Sequence, residues 1–379
     1  MKVVILHPPL YPVNNKLFNE LGKYCDLHVI CFGSNPRYHK DWPSSKFIKD
    51  DNKYKLIILE GDSAAYKLQL SPKYIKYIIK EKPEIVVSIA FWVPSLLSSI
   101  LKYFIKFKFC IITDATINTD SNISKFKILL RKLIVFNTNK LIAGSKLTSQ
   151  YLGTLTKKAS KIEESLQTID VIEWQSIYKS LPNKNELRAK LNYNSDDKIL
   201  LSVGQLDDNK NIASLIKQFH KLSGYKLIIV GDGPGKKELK RLTLKLKLTD
   251  QINFIDRKTN SDLIEYYKIS DIFILPSKSD TFGFVVSEAL VSGLPVLCSK
   301  YAGASSLIKD GFNGYIINPK ASYSDKIGLA FKNLSVLSTN ALSCMSTYTL
   351  ENKAIGLNEI FKSVLSIENE KDKKNSKKV

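Results

Sequence analysis

The sequence has little cysteine and little histidine for its 379 residues. No CxxC motif occurs, only four histidines are present, and the five cysteines show no paired spacing; they are Cys25, Cys31, Cys110, Cys298 and Cys344. This scarcity argues against a structural zinc site, and unpaired thiols of this kind are typical of a reducing, cytoplasmic compartment. The sequence also lacks HExxH, GxxxxGK[ST] and any Ser–His–Asp order, so these motifs predict no chemistry here.

Long apolar runs are also scarce. The segment from Ile85 to Leu101 carries no charge over 17 residues, which lies at the lower limit for crossing a bilayer. It contains Pro94 and four serines, and its first residues are rich in β-branched side chains. We therefore interpret it as a buried strand followed by a helix that starts near Pro94. The N-terminal apolar run, about five residues before His7, is too short for a signal peptide, so a cytoplasmic location is expected.

Acidic residues are few relative to basic ones, and the formal net charge is +21. Residues 1–190 hold 30 Lys+Arg against 16 Asp+Glu, so the first half carries most of this excess. Three explanations remain open: a compositional bias of the genome, an anionic membrane surface, or nucleic acid. No nucleic-acid-binding motif supports the last, and we predict no nucleic-acid partner.

The basic residues are concentrated between positions 100 and 146. This segment holds nine Lys+Arg and two acids, Asp114 and Asp120, interleaved with seven large apolar residues. Such a pattern is typical of a basic amphipathic surface that lies on anionic headgroups, although many of its apolar residues are also expected in the core. An anionic membrane surface, at the inner face of the plasma membrane, is thus a candidate partner.

Short apolar runs alternate with helical patterns twice along the chain, which predicts an α/β fold with two doubly wound parallel sheets. We expect one domain over residues 1–180 and a second over 195–345, joined by a polar linker near 172–195. A helix over 346–367 is expected to pack back toward the first domain. The charged tail, 368–379, is predicted to be disordered.

The stretch from Asp271 to Pro295 contains the most informative pattern. Ile272 to Leu275 predicts a buried strand, and Asp280 and Glu288 then flank Gly283 at a strand-to-helix turn. Ligands bind at such turns because free N–H groups and the helix dipole attract anions. The two carboxylates suit either a glycosidase acid/base pair or acceptors for sugar and ribose hydroxyls. The alternative is structural, with Asp280 as a helix cap and Glu288 on a solvated face.

Two other loops follow predicted strands in this half. Gly204 ends one predicted strand, and Lys210 starts the next predicted helix. The charge of Lys210 would attract an anion there. The alternative is that Lys210 is a solvated surface lysine without a ligand. The GDGPG run at 231–235 is only a weak dinucleotide motif, because its spacing is GxGxG and Pro234 lacks an N–H donor. We interpret that run as a structural tight turn.

Taken in order, these stretches resemble the C-terminal domain of family 4 glycosyltransferases. The segments that carry the resemblance are SVGQLDDNKN, KLIIVGDGPGKKEL and the long run from Ile252 to Ile317, so that it covers about residues 199–318. The resemblance implies a GT-B fold of two Rossmann-like domains, with the donor held mainly by the second and the acceptor mainly by the first. It also implies retaining, metal-independent sugar transfer without a cofactor.

The resemblance assigns roles to individual residues. The Glu-x7-Glu motif of the family falls on Asp280 and Glu288, which implies that Asp280 binds donor-sugar hydroxyls and Glu288 binds ribose hydroxyls. Lys210 matches the phosphate-binding lysine, and Gly204 ends the strand before it. Backbone N–H groups for the diphosphate are then expected from Gly283, Phe284 and Val285.

This chain departs from the family pattern at several positions. Asp280 is one methylene shorter than glutamate, and Gln205 stands where the family has arginine. Asn14 and Asn15 replace a Gly-Gly loop, and Asp256 replaces a glycine near the base pocket. The N-domain histidine of the family has no clear match, and Asp114 is the nearest polar candidate for a catalytic role.

The predicted function is transfer of a sugar from a nucleotide-diphosphate donor, a UDP- or GDP-sugar, to a glycan or lipid-linked acceptor, in cell-surface polysaccharide synthesis. The alternative is a non-catalytic GT-B protein that binds a nucleotide sugar or partners an active transferase, motivated by the substitutions at 14–15, 205 and 280. A GT-B epimerase or phosphorylase is a third class.

Overall fold

A computed structural model describes residues 1–33, 51–59, 72–220 and 222–375, without the side chains of residues 260 and 367–375. The chain divides into two compact units. Unit 1 comprises Met1–Leu166 together with Leu350–Val379, and unit 2 comprises Gln167–Thr349.

Unit 1 is built on a seven-stranded sheet with the order β3-β2-β1-β4-β5-β6-β7 and parallel pairing throughout. Its strands are β1 (Lys2–His7), β2 (Asp26–Phe32), β3 (Lys55–Leu59), β4 (Ile85–Ile89), β5 (Lys108–Thr113), β6 (Lys140–Ala143) and β7 (Ile162–Glu164). Its helices are α1 (Pro12–Leu21), α2 (Pro72–Glu81), α3 (Val93–Leu101), α4 (Lys125–Asn137), α5 (Lys146–Leu155) and the C-terminal helix α14 (Leu350–Asn375).

The interior strand β1 shows why this sheet is covered on both faces. Val3 and Ile5 pack into one core cluster, whereas Val4 and Leu6 pack into another. Because successive strand residues point to opposite faces, a run that is apolar at every position requires helices on both sides. The apolar segment 85–101 forms the strand β4 and the helix α3, as predicted. No helix in the described ranges is long and apolar enough to cross a membrane.

Helix α14 returns to unit 1. Ala354, Leu357 and Phe361 are buried there in the same cluster as Leu17 and Leu21 of α1. The spacing of three and four residues places these side chains on one face of the helix. The helix continues to Asn375, so most of the predicted disordered tail is helical; the last four residues lie outside the described part. The tail has no apolar residue before Val379, but helix formation needs no apolar face once a packed helix precedes it.

Unit 2 contains a six-stranded parallel sheet in the order β10-β9-β8-β11-β12-β13. Its strands are β8 (Lys198–Val203), β9 (Tyr225–Val230), β10 (Ile252–Ile255), β11 (Ile272–Leu275), β12 (Val296–Ser299) and β13 (Gly314–Ile317). Its helices are α6 (Val171–Ser180), α7 (Lys184–Lys190), α8 (Ile212–Phe219), α9 (Lys236–Lys245), α10 (Asn260–Ile269), α11 (Phe284–Val291), α12 (Ser324–Lys332) and α13 (Leu334–Met345).

Two local expectations differ from the structure. The residues expected as a linker, 172–195, contain helices α6 and α7 of unit 2, and the chain passes between units at Leu166 and Gln167. Arg188 of α7 is buried and donates hydrogen bonds to Asp271, and its neighbour Leu187 is also buried, so this polar segment is held by an ion pair together with a few apolar contacts. Helix α1 begins at Pro12, so Asn14 and Asn15 lie in a helix and not in the loop that the family resemblance implies, because proline is favoured in a first helical turn.

Candidate active site

The predicted site residues of unit 2 lie where the strand order of its sheet reverses. Strands β8 and β11 are neighbours in the sheet but far apart in sequence, and the chain leaves them at Gly204 and Pro276. In open parallel sheets this switch point, at the carboxyl ends of the strands, opens a crevice that accepts ligands. The topology therefore places both motif loops at the same edge.

The loop after β8 fixes the position of Lys210. Asp207 caps a short 3-10 turn, Asp208–Lys210, by accepting hydrogen bonds from the backbone N–H groups of Asn209 (2.9 Å) and Lys210 (3.1 Å). Asn211 follows in the left-handed conformation, and its side chain donates to the carbonyl of Pro276 at 3.1 Å. The lysine is thus held next to the loop that leaves β11.

The GDGPG run packs tightly against this same loop. A Cβ added at Gly231 would lie 1.9 Å from the carbonyl oxygen of Gly204, and one at Gly233 would lie 2.6 Å from that of Leu206. Leu206 N–H also donates to the carbonyl of Asp232 at 2.9 Å. These glycines allow one backbone to approach another, which favours the structural turn over a dinucleotide motif.

Asp280 lies opposite Lys210. Its backbone forms an isolated bridge with Ala302, and its N–H donates to the carbonyl of Tyr301 at 3.2 Å. The Nζ of Lys210 forms an ion pair with the Oδ2 of Asp280, and the two side chains are only 21% and 12% exposed. The structure therefore brings two predicted site residues into direct contact. A ligand with both an anionic group and hydroxyls would find a donor and an acceptor side by side here.

Helix α11 begins beside this pair. Gly283 is its N-cap residue with φ of 97°, and an added Cβ would lie 3.0 Å from Leu275 Cδ2 and 3.5 Å from Asp280 Oδ2. The first N–H groups of a helix have no intrahelical acceptor, so those of Phe284 and Val285 are available to an anion. The helix N-terminus and Lys210 together supply positive potential at one place.

Glu288 lies one turn further along α11. Its carboxylate accepts a hydrogen bond of 2.7 Å from the hydroxyl of Tyr267 on α10. Desolvation raises the pKa of Glu288 to about 7, although the Tyr267 hydrogen bond opposes this shift. Burial raises the pKa of Tyr267 well above its ordinary value, so this hydroxyl keeps its proton and acts as the donor. Glu288 is therefore not the solvated face residue of the structural interpretation.

The residues that orient Glu288 were not predicted from the sequence. Tyr267 stacks on Phe273 and meets the ring of Trp174 edge to face, at centroid distances of 5.8 and 5.4 Å. Trp174 Nε1 donates to Ser292 Oγ at 2.8 Å, and Ser292 Oγ donates to the carbonyl of Glu288 at 2.8 Å. No spacing rule connects α6, α10 and α11, since their meeting is a tertiary contact.

The remaining predicted residues lie outside the Lys210–Asp280 ion pair. Gln205 is exposed, so its side chain makes no buried contact beside Gly204. Asp256 forms an ion pair with Lys236 across an exposed loop. Asp114 follows β5 in unit 1 and is partly exposed, and its relation to the residues of unit 2 stays a prediction.

Asn14 and Asn15 lie in the first turn of α1, in unit 1. The Oδ1 atom of Asn15 accepts a hydrogen bond of 2.7 Å from the hydroxyl of Tyr54. Within the described ranges, no group of three or more His, Cys, Asp and Glu side chains is arranged to hold a metal ion.

Comparison with known proteins identifies the second half most clearly. Residues 183–337 match the family model of the glycosyl transferases group 1. Over 136 residues the chain is 34% identical to the alpha-monoglucosyldiacylglycerol synthase of Streptococcus pneumoniae (strain ATCC BAA-255 / R6). This match covers 35% of this chain and 31% of that protein. The chain matches several such relatives over less than half of their length, between 26% and 47%.

Two further comparisons extend over most of the chain. It is 23% identical to the N-acetyl-alpha-D-glucosaminyl L-malate synthase of Bacillus anthracis over 85% of this chain and 84% of that protein. The crystal structure of Anabaena HepE in complex with UDP superposes with a TM-score of 0.77 and 17% identity, covering 96% of this chain and all of that one. This last similarity shows the fold.

The two parallel, doubly wound units define a GT-B fold, as the sequence predicted. Within that class, residues 183–337 form a domain of the glycosyl transferases group 1 family. The resemblance on which the sequence interpretation rests is confirmed for this domain.

Proposed function

We propose that the protein is a retaining glycosyltransferase that moves a sugar from a nucleotide-diphosphate donor to a glycan or lipid-linked acceptor in cell-surface polysaccharide synthesis. The observation that carries this proposal is the Lys210–Asp280 ion pair at the N-terminus of α11, with Glu288 on the same helix. The relative named as an alpha-monoglucosyldiacylglycerol synthase supports a lipid acceptor, and the UDP bound in the Anabaena HepE structure supports a nucleotide-diphosphate donor.

The arrangement suits a diphosphate leaving group. We place the diphosphate on the N–H groups of Gly283, Phe284 and Val285 and on Lys210, whose positive charges stabilise the charge that develops as the glycosidic bond breaks. These groups supply the stabilisation that a metal ion would otherwise provide. Asp280 then accepts hydrogen bonds from hydroxyls of the donor sugar. We assign no cofactor to this reaction.

Glu288 is proposed to accept hydrogen bonds from the ribose hydroxyls. The test is the change Glu288→Ala, measured by the thermal shift that UDP- and GDP-sugars produce and by transfer of the sugar. We expect the shift and the transfer to be lost while the circular dichroism spectrum is unchanged. Glu238→Ala, which removes an exposed carboxylate from α9, is the matched control and should change neither. Full activity of Glu288→Ala would overturn the donor assignment.

A second candidate function is a non-catalytic protein that binds the nucleotide sugar. Gln205 favours it, because a neutral exposed side chain replaces the arginine of the family and a charge-assisted phosphate contact worth about 1.5–3 kcal/mol is lost. Binding of a donor without hydrolysis or transfer across a panel of nucleotide sugars would favour this candidate. Donor turnover would exclude it.

Asp114 is proposed as the catalytic residue of unit 1, and Asp114→Asn should lower transfer more than donor binding. We place the protein in the cytoplasm, peripherally at the inner face of the plasma membrane, where a lipid-linked acceptor would be found.

A further inference from the structure

Unit 1 exposes an apolar surface that its fold does not use. The four aromatic side chains concerned are highly exposed; they are Tyr103 (65%), Phe104 (80%), Phe126 (67%) and Phe136 (74%). Leu129 and Leu133 are exposed between them. We call these six residues the basic-aromatic surface, because they include four aromatic rings and because exposed lysines lie around them, as described below. Soluble proteins rarely expose contiguous apolar patches of this kind unless the patch binds something.

The helix α4 explains why this surface is continuous. Phe126, Leu129, Leu133 and Phe136 follow at intervals of three and four residues, so they form one stripe along the helix. Ile134 and Val135 of the same helix are buried in the core of unit 1. The helix therefore has a core face and a separate exposed apolar face.

The turn after α3 extends the stripe. The hydroxyl of Tyr103 donates to Asn137 Oδ1 at 2.9 Å, and Lys102 Nζ donates to the Asn137 carbonyl at 2.7 Å. These bonds hold the turn that carries Tyr103 and Phe104 at the end of α4, at Asn137, the residue that follows Phe136. Phe107, by contrast, is buried in the core.

The charges around the stripe have one sign. Lys125, Lys127 and Lys132 are exposed on α4, and Lys106 is exposed in the turn beside it. The sequence from 121 to 146 contains no Asp or Glu, and the acid that directly precedes this segment, Asp120, pairs with Arg131. A second copy bound by the same surface would bring lysines against lysines, which is unfavourable. An anionic bilayer instead offers phosphates to the lysines and acyl chains to the aromatic rings.

We infer that the basic-aromatic surface binds anionic lipid bilayers, with the lysines on the headgroups and the apolar side chains inserted among them. The inference concerns a surface of unit 1 that is separate from the residues of the proposed donor site. Its failure would leave nucleotide-sugar binding unaffected, so the two proposals can be distinguished in one set of variants.

The test is flotation of the full chain with vesicles of phosphatidylcholine alone and with about one-third phosphatidylglycerol, an anionic lipid. We expect binding only to the anionic vesicles, weakening as salt screens the lysines. Lys125→Gln, Lys127→Gln and Lys132→Gln combined should weaken it about a hundredfold, since each basic residue near the surface contributes about fivefold. Phe104→Ser with Phe136→Ser should also weaken it.

The matched control is α9 of unit 2, which also exposes three lysines. Lys237→Gln, Lys240→Gln and Lys245→Gln combined remove the same charge and should leave vesicle binding within about twofold of the wild type, since they lie outside the surface. The circular dichroism spectrum and the thermal shift that UDP- and GDP-sugars produce should be unchanged in all variants, and the unchanged spectrum shows that each is folded. Equal loss in the control, or equal binding to neutral vesicles, would overturn the inference. The inference would also be overturned if the wild-type protein binds no vesicles and is a dimer that becomes monomeric in the serine variant, because the surface would then join two copies of the chain.

Discussion

At the scale of single residues, Glu288 is the site group whose charge changes near neutral pH. Its carboxylate is desolvated on α11, which raises its pKa to about 7. In the unfolded chain its ordinary pKa is 4.5. Its contribution to stability is therefore full below about pH 4.5 and is lost as pH rises toward 7, because the unfolded chain releases the proton first. A ligand that needs the charged carboxylate would bind better at the upper end of that range.

We predict that binding of a nucleotide sugar strengthens as pH rises through about 7, by up to about tenfold per pH unit below it. The hydroxyls of ribose donate to the ionised carboxylate, and the diester phosphates of a UDP-sugar do not titrate there. Titration calorimetry at several pH values measures this. Glu288→Gln should bind more weakly and without that pH dependence.

Tyr267→Phe provides the companion measurement. The Tyr267 hydroxyl donates to Glu288 and lowers its pKa. Removing that hydroxyl should move the midpoint of the binding curve to higher pH. If the pH midpoint of binding is the same in the wild type, in Tyr267→Phe and in Glu288→Gln, a group other than Glu288 controls the pH dependence of binding.

Gly283→Ala should weaken both the fold and donor binding. A residue with a side chain at this positive φ costs about 1–3 kcal/mol, and the added Cβ would press on Leu275 at 3.0 Å. Urea denaturation measures the first effect and a nucleotide-sugar thermal shift the second. Gly224→Ala is the control, because Gly224 also has a positive φ, of 76°, but has no atom within 4 Å of an added Cβ. It should lose stability and keep its donor binding.

The sequence predicted Lys210, Asp280 and Glu288 as site residues, because each matches a family pattern around a strand-to-helix turn. It did not reveal that Lys210 and Asp280 pair directly, nor that Tyr267 orients Glu288. The pair joins loops 70 residues apart in the chain. Such contacts depend on the strand order, which periodicity does not specify.

At the scale of elements, strands were easier to predict than boundaries. Buried parallel strands such as β1 and β11 are apolar at every position, which is a strong local signal. Helices α6 and α7 resembled a linker because α6 buries only Val171 and Trp174, and α7 buries only Leu187 and Arg188. A short helix with so few buried side chains has no apolar periodicity to recognise.

Helix α14 should be essential to the stability of unit 1, although it is the last element of the chain. Phe361 is fully buried in the cluster that also contains Val3 and Ile5 of the interior strand β1. Phe361→Ala should therefore lower the free energy of unfolding by about 3–5 kcal/mol, the usual cost of such a cavity. Chemical denaturation measures this. Glu359→Ala, on the exposed side of α14, is the control and should change stability by no more than about 0.5 kcal/mol.

At the scale of the whole molecule, the three described core clusters each lie within a single unit. Unit 1 receives residues from both ends of the chain, whereas unit 2 is continuous. The order of β8 and β11 places the proposed donor groups entirely in unit 2. A ligand held by these groups should consequently stabilise unit 2 in particular.

We predict that a saturating UDP-sugar slows amide hydrogen exchange in unit 2, most strongly in the peptides that contain Lys210 and α11. At about 100 times the dissociation constant the stabilisation is about 2.7 kcal/mol, so amides that exchange only by unfolding of unit 2 should slow about a hundredfold. Mass spectrometry of the exchanged peptides resolves the two units. Phe361→Ala should accelerate exchange in unit 1 and leave the ligand effect in unit 2. Protection confined to unit 1 would contradict the donor assignment, because none of the groups that carry it lies there.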